Sequence, residues 1–144
     1  MELSKASKAA GGLLALTGII GIVLLATDQI LRGALGGTHF YALIAFVTID
    51  FAVAGYLLAR PSKMSLTLTV AWSVLRLVLQ FANIYIGPAQ EGTSAYADFA
   101  NYIFNPTLTT APNPPRVPGA LIDFIVILEI VVIGIAWSAR SAQK

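Results

Sequence analysis

MSLTLTVAWSVLRLVLQFANIYI, residues 64–86, is a long apolar stretch with an arginine, Arg76, near its centre. A bilayer core is crossed by about 20 apolar residues at a helical rise of about 1.5 Å each. Thr69, Ser73, Arg76, Gln80 and Asn83 recur at alternating spacings of four and three, which keeps all five on one helix face. The residues between them are mostly Val, Leu and Ala, with Trp72 and Phe81, and suit lipid or ordinary packing. The stretch therefore predicts a transmembrane helix with a polar seam. In lipid such a seam faces protein or a water-filled cavity.

Three further stretches pass the same length test: Ala9 to Thr27, with no charge; Phe40 to Ala59, interrupted only by Asp50; and Gly119 to Ser138, with Asp123 and Glu129. The expectation is an all-α, integral-membrane four-helix bundle forming a single transmembrane domain over residues 1–144. Its helices fall at about 9–27, 40–59, 64–86 and 119–138, with an outer loop at 87–118. Composition agrees: the chain is 57% hydrophobic and 11% charged, against about 25% charged in soluble domains. The net charge of +2 is spread without a basic run, so nucleic acid is not an expected partner. Lys5 and Lys8 precede the first run like the start of a signal peptide. That run is long for a cleaved leader, however, and Leu24 stands where cleavage after Ala26 needs a small residue, so a retained helix is expected.

Orientation follows from the loops. Lys5, Lys8, Arg60, Lys63, Arg140 and Lys144 fall on one side of the predicted bundle, and only Arg32 and Arg116 on the other. The positive-inside rule assigns the richer side, and with it both termini, to the cytoplasm. The short Arg60-Pro61-Ser62-Lys63 turn makes the second and third helices antiparallel neighbours.

Depth brings three charges together. Asp50 lies about 10 residues, roughly 15 Å, from each end of its span, and Glu129 about as far from its outer start. Arg76 lies about 12 residues, roughly 18 Å, inside the third span. An intramembrane charge costs roughly 2.5–3.5 kcal/mol on insertion scales, so pairing of Arg76 with Asp50, Glu129 or both is expected. Two carboxylates around one guanidinium leave the core formally at −1, and one of them is then expected to hold a proton. Four readings stay open: a dry lock that fixes helix register, a proton or ion path, a polar pocket for a quinone, lipid or small ligand, and a charge that pairs with another subunit. Asp123, near the outer end of its span and about 120° around the helix from Glu129, reads as a solvated interfacial carboxylate.

Gly11, Ala15, Gly18 and Gly21 form a small-residue stripe on the first helix, suited to close helix packing within the bundle or against another chain. Ala45, Ala52, Ala54 and Gly55 suggest the same on the second. Tyr41, Tyr85 and Trp137 fit an interfacial aromatic belt. In the outer loop, a short interfacial helix is expected from about Ala95 to Phe104. Tyr96 and Phe99 lie on its apolar face, with Tyr102 and Phe104 flanking it, and the proline-rich Asn105–Pro118 stretch follows in extended form.

Reaction chemistry is scarce. The chain has no cysteine, and its single histidine, His39, cannot supply paired haem ligands or a metal site, so no cofactor and no metal are expected. No phosphate-cradling loop is present, and no serine or threonine has a basic partner placed to activate it. In topology alone the four-span plan resembles the small multidrug transporters and the DoxX-like proteins. The former carry their working glutamate in the first helix, which here has no charge, so no functional residue carries over from either family. The leading expectation is a non-catalytic accessory or structural subunit of a larger integral-membrane complex, with the bilayer and other membrane subunits, or a second copy, as partners. The alternatives are a small proton- or ion-coupled transporter using Asp50, Arg76 and Glu129, or a lipid- or quinone-binding protein.

Overall fold

The four apolar runs become four helices because a spanning segment in lipid must satisfy every backbone polar group internally. In a computed structural model of the chain, α1 spans Leu3–Thr27, α2 Gly37–Ala59, α3 Lys63–Gln90 and α4 Val117–Ser141. The structure describes residues 3–27, 32, 37–90 and 117–143, without the side chains of 37–39, 83–90, 117–120 and 123. Among the described residues every regular element is helical, and each of the four helices is long and apolar enough to cross a membrane. The chain thus reads as a multi-pass membrane protein built as a four-helix bundle.

Each helix outruns the boundaries that hydropathy sets. α1 begins at Leu3 rather than near Ala9, α2 at Gly37 rather than Phe40, and α3 runs to Gln90 rather than Ile86. Hydropathy marks the lipid-matched part, whereas backbone hydrogen bonding continues as long as packing supports it. The added turn of α1 buries Ala6 and Ser7. At the other end of the chain, Val117 and Pro118 belong to the first turn of α4 and not to an extended stretch. A first turn tolerates proline, because the missing N–H has no intrahelical acceptor there. The expected interfacial helix, with Tyr96, Phe99, Tyr102 and Phe104, lies outside the described residues.

The start of α3 is capped reciprocally. The Ser65 amide donates to Ser62 Oγ at 3.1 Å, and the Ser62 amide donates to Ser65 Oγ at 2.9 Å. This start is tied to the end of α4: Lys63 Nζ donates to the Gln143 carbonyl at 3.1 Å, and Arg140 Nε to Thr67 Oγ1 at 2.8 Å. Arg140 also lies over the exposed Trp137 ring, 5.3 Å from its centroid.

Around the bundle, α1 packs against α2 and α4, and α3 packs against α4 and more sparsely against α2. The α1–α2 joint is close because glycines permit it. A Cβ at Gly11 would come 2.8 Å from Leu58 Cγ, at Gly18 3.0 Å from the Phe51 ring, and at Gly21 2.4 Å from Val47 Cγ2. Rising numbers on α1 meet falling numbers on α2, the signature of an antiparallel pair. Ala15 packs half-buried beside the same core. The α2 stripe behaves differently. Ala54 is buried, but Ala45, Ala52 and Gly55 face outward, so the expectation of close packing there is corrected for those three.

Two apolar layers result. Ala6, Ala10, Leu14, Ala54, Leu57, Leu66, Val132, Ala136 and Ala139 fill the end where α1 and α3 begin. Ile20, Leu24, Ile125 and Leu128 fill the opposite end. Lipid tails are as apolar as these side chains, so the layers stabilise through close packing and not through transfer from water. The polar residues between the layers therefore matter more to register than they would in a soluble core.

Candidate functional site

Arg76, Asp50 and Glu129 each sit near the middle of an antiparallel helix, and so they meet at one height. Arg76 Nη1 donates to Glu129 Oε1 at 2.9 Å and to Thr17 Oγ1 at 3.2 Å, and it also donates to Asp50 Oδ2. Asp50 and Glu129 are 0% exposed and Arg76 is 1% exposed. One nitrogen thus gathers a polar side chain from each of the other three helices.

Asp50 is the better-satisfied carboxylate. Its Oδ1 accepts from Trp72 Nε1 at 2.8 Å, and its Oδ2 accepts from Arg76 and faces Thr17 Oγ1 at 3.1 Å. Thr17 has one hydroxyl proton and two acceptors in reach, Asp50 Oδ2 and the Leu14 carbonyl at 2.6 Å, so it donates to one at a time. Glu129 has a donor on Oε1 only. Its Oε2 has no hydrogen-bond partner, and neither have Ser73 Oγ and Arg76 Nε, all of them buried. Ser73 faces Glu129 from one turn before Arg76, yet the two side chains fall short of hydrogen-bond geometry.

The α2–α3 joint is filled by aromatic rings. Phe46, one turn before Asp50, meets Trp72 edge-on with centroids 5.9 Å apart, and the Arg76 guanidinium lies 5.6 Å from the Phe46 centroid. These rings pack beside the ionic contacts, both of them half-buried.

Of the five seam residues on α3, Arg76 belongs to the cluster and Ser73 adjoins it. Thr69 is buried but donates to the Ser65 carbonyl of its own helix at 2.9 Å, so it spends its hydroxyl locally. Gln80 is half-buried, and the side chain of Asn83 lies outside the described part, as do those of Asp123, His39 and Tyr85. Thr17 and Trp72 are cluster members that sequence reasoning missed. Thr17 hides in a helix that reads as pure packing, and its signal was a place on the face that carries Ala10, Leu14, Gly21 and Leu24. Trp72 reads as suited to lipid or ordinary packing, although it sits one turn from Arg76 and its indole N–H needs an acceptor when buried.

Chemically, the cluster is a buried group of one guanidinium and two carboxyl side chains. Among the described residues no three acidic or histidine side chains converge as metal ligands. No protein-family model, curated protein or solved structure matches the chain.

Proposed function

We propose that this protein is a non-catalytic, multi-pass subunit of a larger integral-membrane assembly, and that the Arg76 cluster is a register lock. The observation behind this reading is that Thr17, Asp50 and Glu129, one from each of the other three helices, converge on the buried Arg76 guanidinium between two apolar layers. A lock of this kind needs no substrate, and a buried polar cluster penalises any shift of one helix past another. We place both termini on the cytoplasmic side, from the basic residues at that end. The proline- and aromatic-rich segment 91–116 is then the surface offered to partner subunits outside the membrane.

Gentle extraction from the native membrane, followed by native mass spectrometry of the particles containing this chain, tests the proposal. A stoichiometric assembly with larger subunits supports it. A lone monomer or homo-oligomer refutes it.

A second reading, a small proton- or ion-coupled transporter, is favoured by one observation: Glu129 Oε2, Ser73 Oγ and Arg76 Nε are buried without partners in the middle of the bundle. Purified protein in pH-dye-loaded liposomes distinguishes it. Flux abolished by Asp50→Asn or Glu129→Gln in folded protein would replace the subunit reading with this one. A lipid- or quinone-binding role rests on the polar seam alone.

A further inference from the structure

At the end of the bundle where α1 and α3 begin, the sequence places Lys5, Lys8, Arg60, Lys63, Arg140 and Lys144 against one acidic side chain, Glu2. Two of these cations cross the α3–α4 seam in opposite directions. Lys63 of α3 donates to the Gln143 carbonyl, and Arg140 of α4 donates through Nε to Thr67 Oγ1. Lys63 and Thr67 are one turn apart on α3, and Arg140 and Gln143 one turn apart at the end of α4. The two charges therefore lie within about one helical pitch, roughly 5.4 Å, along the seam. Both acceptors are neutral. They hold the two side chains in place without cancelling their charge, and among the described residues no carboxylate pairs with either. Among those residues the Arg140 Nη groups and two of the three Lys63 ammonium protons also have no acceptor. The surface beside them is apolar: Trp137, whose ring lies under the Arg140 guanidinium, is 54% exposed, and Met64 is 62% exposed.

We infer that this end of the α3–α4 seam binds the headgroup of an anionic phospholipid, with Lys63 and Arg140 on its phosphate and the Trp137 ring against its glycerol and upper acyl carbons. A phosphate supplies the acceptors that both cations lack, and the bonds it accepts from them are charge-assisted. Because both side chains are already held across the seam, little rotamer freedom is lost on binding. The exposed indole and Met64 favour a lipid over a free anion, since only a lipid carries apolar chains to cover them. Charge supplies the selectivity. A zwitterionic lipid brings its own cation next to Lys63 and Arg140, whereas an anionic lipid does not. The site is separate from the Arg76 cluster and does not depend on whether the bundle serves a larger assembly.

Native mass spectrometry of the purified full chain, titrated in detergent with phosphatidylglycerol or with phosphatidylcholine of the same acyl chains, tests this. One basic residue near a membrane surface favours anionic lipid by about fivefold, so the pair is expected to bind phosphatidylglycerol about 25-fold more tightly. Lys63→Gln and Arg140→Gln are each expected to lose about fivefold of that preference, and together nearly all of it. The single variants carry the test if the double one fails to fold. Lys5→Gln combined with Lys8→Gln is expected to keep the preference. Equal affinity of the wild type for the two lipids overturns the inference. So does a preference indifferent to the Lys63 and Arg140 changes, or one abolished by the Lys5 and Lys8 changes, which would mark diffuse attraction to the whole basic end. Displacement of the lipid by an equal concentration of glycerol phosphate, which carries the phosphate without acyl chains, would assign the two cations to a free anion and overturn the lipid as occupant.

Discussion

Replacing Arg76 by methionine keeps much of the side-chain volume and removes the nitrogen that contacts all three other helices. Breaking a buried ion pair by deleting one partner costs about 3–5 kcal/mol, because the remaining charge is left uncompensated. A count by contacts gives a similar figure. Interhelical polar contacts in membranes are worth about 0.6 kcal/mol on average and up to about 1.7, so three of them lie near 2–5 kcal/mol. At about 1.4 kcal/mol per decade, the upper range shifts the unfolding equilibrium by roughly two to four decades. Denaturant titration of purified protein in mixed micelles, followed by tryptophan fluorescence, reads this directly. Trp72 donates to Asp50 within the cluster, whereas Trp137 is 54% exposed and reports little of it. The companion is the triple variant Asp50→Asn, Arg76→Met, Glu129→Gln, which removes every charge at once. It is expected to recover most of the loss, since replacing a whole buried ionic group with neutral residues is often close to neutral. An Arg76→Met protein within about 0.5 kcal/mol of wild type, the range of an ordinary surface change, would falsify the lock. A triple variant as unstable as the single one would assign the loss to packing.

Further outcomes follow from other contacts. Gly21→Ala places a methyl group 2.4 Å from Val47 Cγ2 and is expected to destabilise by about 1–3 kcal/mol in the same titration, while Gly55→Ala, with nothing within 4 Å, leaves the midpoint unchanged. Trp72→Phe preserves the ring against Phe46 but strips the donor from Asp50 Oδ1, a loss of about 1.5–3 kcal/mol for a bond to a charged group. Thr17→Val is expected to cost about 1–3 kcal/mol by unpairing buried partners, whereas Thr48→Val, whose exposed hydroxyl bonds only its own helix at the Ile44 carbonyl, is silent. Because the chain has no cysteine, single cysteines at Ser4, Ser62 and Ser141 give a clean topology test: all three should react with a membrane-impermeant thiol reagent from the cytoplasmic side only. Labelling of one of them from the opposite face would break the assigned orientation.

Much of the architecture was legible because hydropathy and depth are linear properties of the chain. Length and apolarity locate four spans, and a charge in the middle of each of three antiparallel helices ends at a common height whatever the side-chain details. The alternating four-and-three spacing from Thr69 to Asn83 also singles out the face of α3 that carries Arg76. The faces of the other helices were harder to read. In a soluble bundle the core face is apolar and the outer face polar, so periodicity separates them. In lipid both faces are apolar, and α1 and α2 accordingly carry almost no amphipathic signal.

That loss of contrast marks the line between what the chain determined alone and what the tertiary structure decided. The sequence by itself determined an all-helical, four-span bundle with a charged middle, since a buried charge and a long apolar run need no neighbour to be recognised. Only the packing of the helices decided that Gly11, Gly18 and Gly21 admit Leu58, Phe51 and Val47 while Gly55 meets nothing. Packing likewise brought Thr17 and Trp72 to Asp50, and left Glu129 Oε2 and Ser73 Oγ buried without hydrogen-bond partners. Those outcomes depend on the rotation of each helix about its axis, which side-chain shape and hydrogen bonding fix once the four helices are together.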